Sequence, residues 1–159
     1  MPTICIVGLG YIGLPSAVIF ASQGFNVVGV DINKSIVESV NKGESHISEP
    51  NLDKELKIAI KNKKLIAKES PSYADIYIIA VPTPHYLGKQ SFYYPDTSIV
   101  FKALDNICPY LKKDNLIILE STCPVGTTEK IANLINQRTN LTKNDIDIAY
   151  CPERVLPGN

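Results

Sequence analysis

Residues 8–13 read Gly8-Leu9-Gly10-Tyr11-Ile12-Gly13, directly after the apolar run 3–7 and overlapping an apolar helical stretch, 12–23, that Gly24 is placed to close. Three glycines at this spacing, between a strand and a helix, have separate physical uses. Gly8 permits the tight turn out of the strand, Gly10 removes the Cβ where backbone must come close to a ligand, and Gly13 lets the helix pack closely on the sheet. The free N–H groups at the start of the helix face the loop and attract an anionic group. Taken alone, the same glycines also suit an ordinary strand-to-helix turn. The second strand strengthens the ligand reading: it spans 26–30 and ends at Asp31, where a carboxylate can accept hydrogen bonds from ribose hydroxyls. A dinucleotide is the expected ligand. Asp31 would repel a 2′-phosphate, and Ile32-Asn33-Lys34 supplies no Arg to hold one, so NAD is expected rather than NADP.

Outward from this loop, strands alternate with helices. Asn33 is placed to cap a helix with Ile36, Val37 and Val40 on one face, stopped at Gly43, and Pro50-Asn51 opens another with Leu52, Leu56 and Ile60. Further strands are expected at 65–68, 75–81, 115–119 and 147–150. Helices are expected after Asp96, carrying Ile99, Val100, Ala103, Leu104 and Ile107, and over 128–137. Near-continuous apolar strands separated by helices call for a parallel sheet covered on both faces, because each crossover helix must bury its apolar stripe against it. The expected fold is therefore α/β: a Rossmann-type doubly wound sheet of about six parallel strands, in one domain over 1–159. In such a sheet the ligand lies beyond the carboxyl ends of the strands, so the loops starting at Gly8, Asp31, Pro82 and Ser121, and the one after Tyr150, should converge.

Composition excludes several other roles. Sixteen basic residues balance sixteen acidic ones, for a formal net charge of +0, so no positive field gathers nucleic acid or anionic lipid. The first apolar run is broken by Gly8 and Gly10, too early for a signal peptide or a membrane span, and a cytoplasmic protein is expected. Cys5, Cys108, Cys123 and Cys151 form no Cys-x-x-Cys pair, and His46 and His85 stand in expected loops without partners at ligand spacing. No metal site is therefore expected, and the cysteines read as small buried hydrophobes. The segment 85–94, with Tyr86, Phe92, Tyr93 and Tyr94, reads as an inserted mobile loop or a flap over the cofactor.

The later loops carry more chemistry. Val81-Pro82-Thr83-Pro84 holds a hydroxyl between two prolines, and Glu120-Ser121-Thr122-Cys123-Pro124-Val125-Gly126-Thr127-Thr128 is a hydroxyl-rich turn into a helix. Each by itself could be only a turn. Together with Tyr150-Cys151-Pro152-Glu153-Arg154-Val155-Leu156-Pro157-Gly158 they resemble the UDP-glucose/GDP-mannose dehydrogenase family, whose members oxidise the C6 alcohol of a nucleotide sugar to a carboxylate with two NAD. The resemblance covers the whole chain, in the order and spacing of that family's N-terminal domain. UDP-glucose enzymes tend to carry Lys where this chain has Glu120, and a Pro-Glu-Phe-Leu run where it has Pro152-Glu153-Arg154-Val155-Leu156. The wording is nearer to the branch acting on UDP-N-acetyl-D-mannosamine, enzymes of surface polysaccharide biosynthesis.

The resemblance implies that Gly8, Gly10, Tyr11, Ile12, Gly13, Asp31, Thr83 and Thr128 are cofactor positions. It makes Arg154 and Val155 substrate positions for a UDP-sugar, and sets Glu153 and Thr122 beside the reacting sugar and its water as catalytic residues. It also implies a nucleophilic Cys with a neighbouring Lys, a central dimerisation helix and a UDP-sugar domain, all in a later part of such a chain, and a homodimer for the full-length protein. None of the four cysteines here matches that nucleophile, and this chain alone is expected to bind NAD without turning substrate over. Two other readings share the glycine loop. A 6-phosphogluconate or hydroxyisobutyrate dehydrogenase relative leaves the Thr122 and Glu153 motifs without a purpose, and a non-catalytic NAD-binding module is compatible with the missing thiol.

Overall fold

The computed structural model describes residues 1–87 and 93–154. Its elements in chain order are β1 (Thr3–Val7), α1 (Gly13–Ser22), β2 (Asn26–Val30), α2 (Lys34–Asn41), α3 (Leu52–Lys61), β3 (Leu65–Lys68) and β4 (Ile76–Ile79). There follow β5 (His85–Leu87), β6 (Tyr93–Pro95), α4 (Ser98–Ile107), β7 (Asn115–Leu119), α5 (Thr127–Arg138) and β8 (Ile146–Tyr150). Six strands form one sheet in the order β3-β2-β1-β4-β7-β8, every described pairing parallel. The chain winds outward from β1 in one direction through β2 and β3, then in the other through β4, β7 and β8. This is the doubly wound Rossmann-type architecture read from the sequence, and its switch point lies between β1 and β4.

Alternation along β1 divides the core. Ile4 and Ile6 face the side covered by α1, α2 and α3, with Leu14, Val18, Val40 and Leu56. Cys5 and Val7 face the side covered by α4 and α5, with Tyr77, Ile79, Leu104 and Ile131. Each fully buried Leu or Ile in these layers contributes about 1.5–3 kcal/mol relative to exposure. Central strands covered on both sides read as unbroken apolar runs. The edge strand β3, Leu65-Ile66-Ala67-Lys68, instead alternates buried and exposed. Tyr77 is fully buried, and its hydroxyl accepts from Ala74 N (3.1 Å) and lies within donating distance of Ser72 O and Tyr110 O. Burial pushes that phenol up to about 12. Among the described residues no helix is long and apolar enough to cross a membrane.

Several local expectations are corrected. The described parts of the segment 85–94 are strands: β5 and β6 pair antiparallel, His85 with Pro95 and Tyr86 with Tyr94. Cross-strand rings hold the ladder, Tyr93 edge-on to His85 at 5.1 Å and Tyr94 stacked on Tyr86 at 6.1 Å. His85 therefore lies in a strand, and Phe92 lies outside the described residues. The fourth strand is shorter than 75–81, although Ala80 N still donates to Val7 O, so the difference concerns where the ladder frays. Cys5 and Cys108 are buried as expected. Cys123 is only half-buried and Cys151 is exposed, because they sit in loops past the ends of β7 and β8 rather than inside the layers.

Candidate functional site at the carboxyl edge of the sheet

The glycine loop is built by steric exclusion. Gly8 has φ +99, and a Cβ on it would meet Ala80 O at 2.5 Å; a Cβ on Gly13 would meet Gly8 O at 1.8 Å. Those two glycines are required by the close passage of the loop, the first turn of α1 and the end of β4. Gly10 differs from both, since a Cβ there would have nothing within 4 Å. The open approach to the loop is at Gly10, beside the start of α1. That helix has no side-chain cap at Ile12 and no acid in its first turn, so the positive end of its dipole is uncompensated by its own residues.

Asp31, directly past β2, is tied to this loop. Its Oδ2 accepts from Leu9 N (3.0 Å) and its Oδ1 from Asn33 N (2.8 Å). Each oxygen keeps a further lone pair, so the carboxylate is oriented by backbone yet still able to accept from a diol. Lys34, the one cation in the adjoining run 32–34, is committed to a surface pair with Glu38 at 3.9 Å.

On the other side of the switch point, the ends of β4, β7 and β8 meet α1 around a cavity of about 180 Å³. Ile12, Thr83, Glu120, Ser121, Thr122 and Glu153 contribute to its wall. Ser121 is buried, and its hydroxyl lies 2.7 Å from Val81 O and 3.2 Å from Ile79 O, which commits it to fastening the β4 and β7 ends together. The Glu120 backbone N donates to Ile79 O, fixing the residue between the same strands. Its side chain is half-buried, and Oε2, shielded from solvent, has no hydrogen-bond partner. Burial and the facing Glu153 carboxylate push the Glu120 carboxyl above the ordinary range, with the Ser16 hydroxyl acting in the opposite sense.

Thr83, Thr122 and Glu153 thus share one crevice with Ile12 of the glycine loop. Thr122 is exposed at the mouth, and Glu153 also lines a larger cavity of about 340 Å³ with Tyr11, Ile12, Pro15 and the turn Glu49-Pro50. Thr128 is not among the residues of that crevice. It lines a neighbouring cavity of about 200 Å³ with Cys123, Pro124 and Tyr150, and its hydroxyl is 3.1 Å from Glu129 Oε2. Arg154 is exposed just past β8, where its backbone N donates to Glu153 Oε1. Val155 lies outside the described residues. Sequence reasoning left Glu120 out of the candidate site. Its signal was positional: it is the first residue past β7, as Asp31 is the first past β2.

A model of the UDP-glucose/GDP-mannose dehydrogenase family, NAD binding domain, matches residues 2–159. The UDP-N-acetyl-D-mannosamine dehydrogenase of Yersinia pestis is 50% identical over 164 aligned positions, which cover 98% of this chain and 38% of that protein. The NDP-N-acetyl-D-galactosaminuronic acid dehydrogenase of Ralstonia nicotianae is 46% identical over 99% of this chain and 38% of its own length. Among solved structures, the UDP-N-acetyl-mannosamine dehydrogenase of Staphylococcus aureus superposes with a TM-score of 0.91 at 40% identity. That match covers 98% of this chain and 38% of the other. The chain therefore spans 38% of the length of these curated relatives.

Proposed function

The chain belongs to the UDP-glucose/GDP-mannose dehydrogenase family as its NAD-binding domain, and from that premise we propose that it is the cofactor domain, over 1–159, of an enzyme oxidising UDP-N-acetyl-D-mannosamine to the uronate. The observation that carries the reading is the crevice in which Ile12 of the glycine loop meets the ends of β4, β7 and β8, with Glu153 in its wall, while Asp31 is tied to the same loop at Leu9 N. The residues fit an extended dinucleotide. Asp31 takes the adenosine ribose, the open face at Gly10 with Tyr11 and Ile12 takes the pyrophosphate, and Gly8 and Gly13 make that approach possible. Thr83 lies where the far end of the dinucleotide reaches, and Thr128 borders the neighbouring cavity. When bound, NAD supplies the hydride acceptor.

The remaining roles belong to side chains at the mouth. Glu153 and Thr122 hold the water and the proton released at the sugar C6, and Arg154 and Val155 contribute to the grip on the UDP-sugar. Holding an aldehyde between two oxidations requires a covalent nucleophile, and in this reading that thiol, the dimerisation helix and the opposite wall of the sugar site lie outside 1–159. The full protein acts as a cytoplasmic homodimer in polysaccharide biosynthesis. Support for the substrate comes from the 50% identity to the Yersinia pestis enzyme, and the 46% identity to the galactosaminuronic acid enzyme defines the competing substrate.

Two measurements test the proposal. Calorimetry on this chain should show NAD binding, and NADH absorbance should show no steady turnover by the chain with UDP-N-acetylmannosamine. In the protein that carries this chain, UDP-N-acetylmannosamine should be oxidised in preference to the N-acetylgalactosamine, glucose and GDP-mannose analogues. Preference for one of those analogues would overturn the substrate assignment. Turnover by the chain alone would overturn the division of the active site.

A further inference from the structure

The Glu120 carboxyl takes no part in the proposed cofactor grip or in the chemistry at the sugar, and its setting is unusual. Its Oε2 is shielded from solvent without a hydrogen-bond partner, an arrangement that costs free energy unless a water or a ligand relieves it. Glu120 lines the cavity wall, and the last torsion of a Glu side chain is soft, so its carboxylate can present an oxygen to a group in that space. Opposite stands Glu153, and among the described residues lining this cavity there is no Lys, Arg or His. Two carboxylates facing one space form a site complementary to positive charge.

The dinucleotide's course identifies what enters that space. With the adenosine end at Asp31 and the pyrophosphate at Gly10, the nicotinamide ring falls beyond the switch point, on the side of β4, β7 and β8. The ring is positively charged in NAD+ and neutral in NADH. Its carboxamide carries the N–H donors that an unpartnered carboxylate oxygen lacks.

We propose that Glu120 is the residue by which this site selects the oxidised cofactor: its carboxylate accepts the carboxamide N–H and counter-charges the nicotinamide ring. This rests on the proposed cofactor role of the chain and adds to it a specificity-determining residue. Reduction of the ring removes the charge attraction and leaves only the carboxamide hydrogen bond, so the same residue holds the product NADH less tightly than NAD+. Burial raising the Glu120 carboxyl agrees with a group whose counter-charge arrives with the ligand.

The test is calorimetric titration of NAD+, NADH and ADP-ribose, which lacks the nicotinamide, into the wild-type chain, Glu120→Gln and Glu120→Asp, with folding checked by circular dichroism. Glu120→Gln should weaken NAD+ about tenfold or more, through the lost counter-charge and the weakened carboxamide bond; NADH, which keeps only the carboxamide contact, should weaken clearly less, and ADP-ribose should change less than about twofold. Glu120→Asp keeps the charge and should keep the preference for NAD+ over NADH even where its own affinities fall. If wild type binds all three ligands and Glu120→Gln binds NAD+ undiminished, or loses all three equally, the role of Glu120 is refuted and the cofactor site stands. Should Glu120→Gln not fold, loss of the NAD+ preference in Glu120→Asp refutes the proposal. If wild type binds none of the three, the cofactor reading falls and this proposal with it.

Discussion

Replacing Gly13 by alanine adds one methyl group at the most crowded point of the loop. The new Cβ would stand 1.8 Å from Gly8 O and 3.3 Å from the Ala80 Cβ. To restore an ordinary contact the first turn of α1 must retreat by about 1.5 Å, against a β1-to-β4 layer in which Ile4, Ile6 and Ile78 are buried. Overpacking on this scale costs about 3 kcal/mol, and the better helix propensity of alanine returns at most about 1 kcal/mol. The net loss of about 2 kcal/mol should lower Tm by about 4–8 °C for a chain of this size. Gly10 is the control, because its Cβ would meet nothing within 4 Å and its φ lies outside the left-handed range. Gly10→Ala should melt within about 1 °C of wild type, yet weaken NAD about tenfold in calorimetry by filling the space the phosphates approach. Gly13→Ala melting with wild type, or Gly10→Ala melting well below it, would refute the division of the loop into packing glycines and an open one.

Other perturbations test separate parts of the structure. Asp31→Ala removes the acceptor of Leu9 N and Asn33 N together with the ribose partner, so calorimetry should show NAD weakened by about 1–3 kcal/mol; unchanged affinity would remove Asp31 from the site. Asn115 is 1% exposed, accepts from Lys112 N and donates to Ala74 O and Asp75 O. Asn115→Ala should cost about 3 kcal/mol in urea unfolding, and a loss under about 1 kcal/mol would show that solvent replaces those bonds. The folded chain holds the Glu120 proton more tightly than the unfolded chain does. Stability on this account is greatest in acid and is lost as pH rises from the ordinary carboxyl range through the raised folded value. Glu120→Gln should therefore gain on wild type over that window and hold a constant offset below it, and urea midpoints differing by the same amount at every pH would refute this.

Periodicity and turn chemistry determined the sheet, its parallel strands, the glycine loop and the place of Asp31, because each of those rests on contacts within a few residues or on which strands are apolar throughout. Asn33 capping α2 is such a case, since its Oδ1 accepts from Ser35 N only two residues on. Only the tertiary structure decided what surrounds Glu120. Ser16, Ile79 and Glu153 are far from it in sequence and reach it through α1, β4 and the end of β8. The same holds for the separation of Thr128 from Thr83 and Thr122, and for the exposure of Cys123 and Cys151. The antiparallel pairing of β5 with β6 depends on rings meeting across strands, which composition alone presents as an aromatic loop. Burial, like-charge facing and an unpartnered oxygen are properties of the space between elements, and no local run of residues encodes that space.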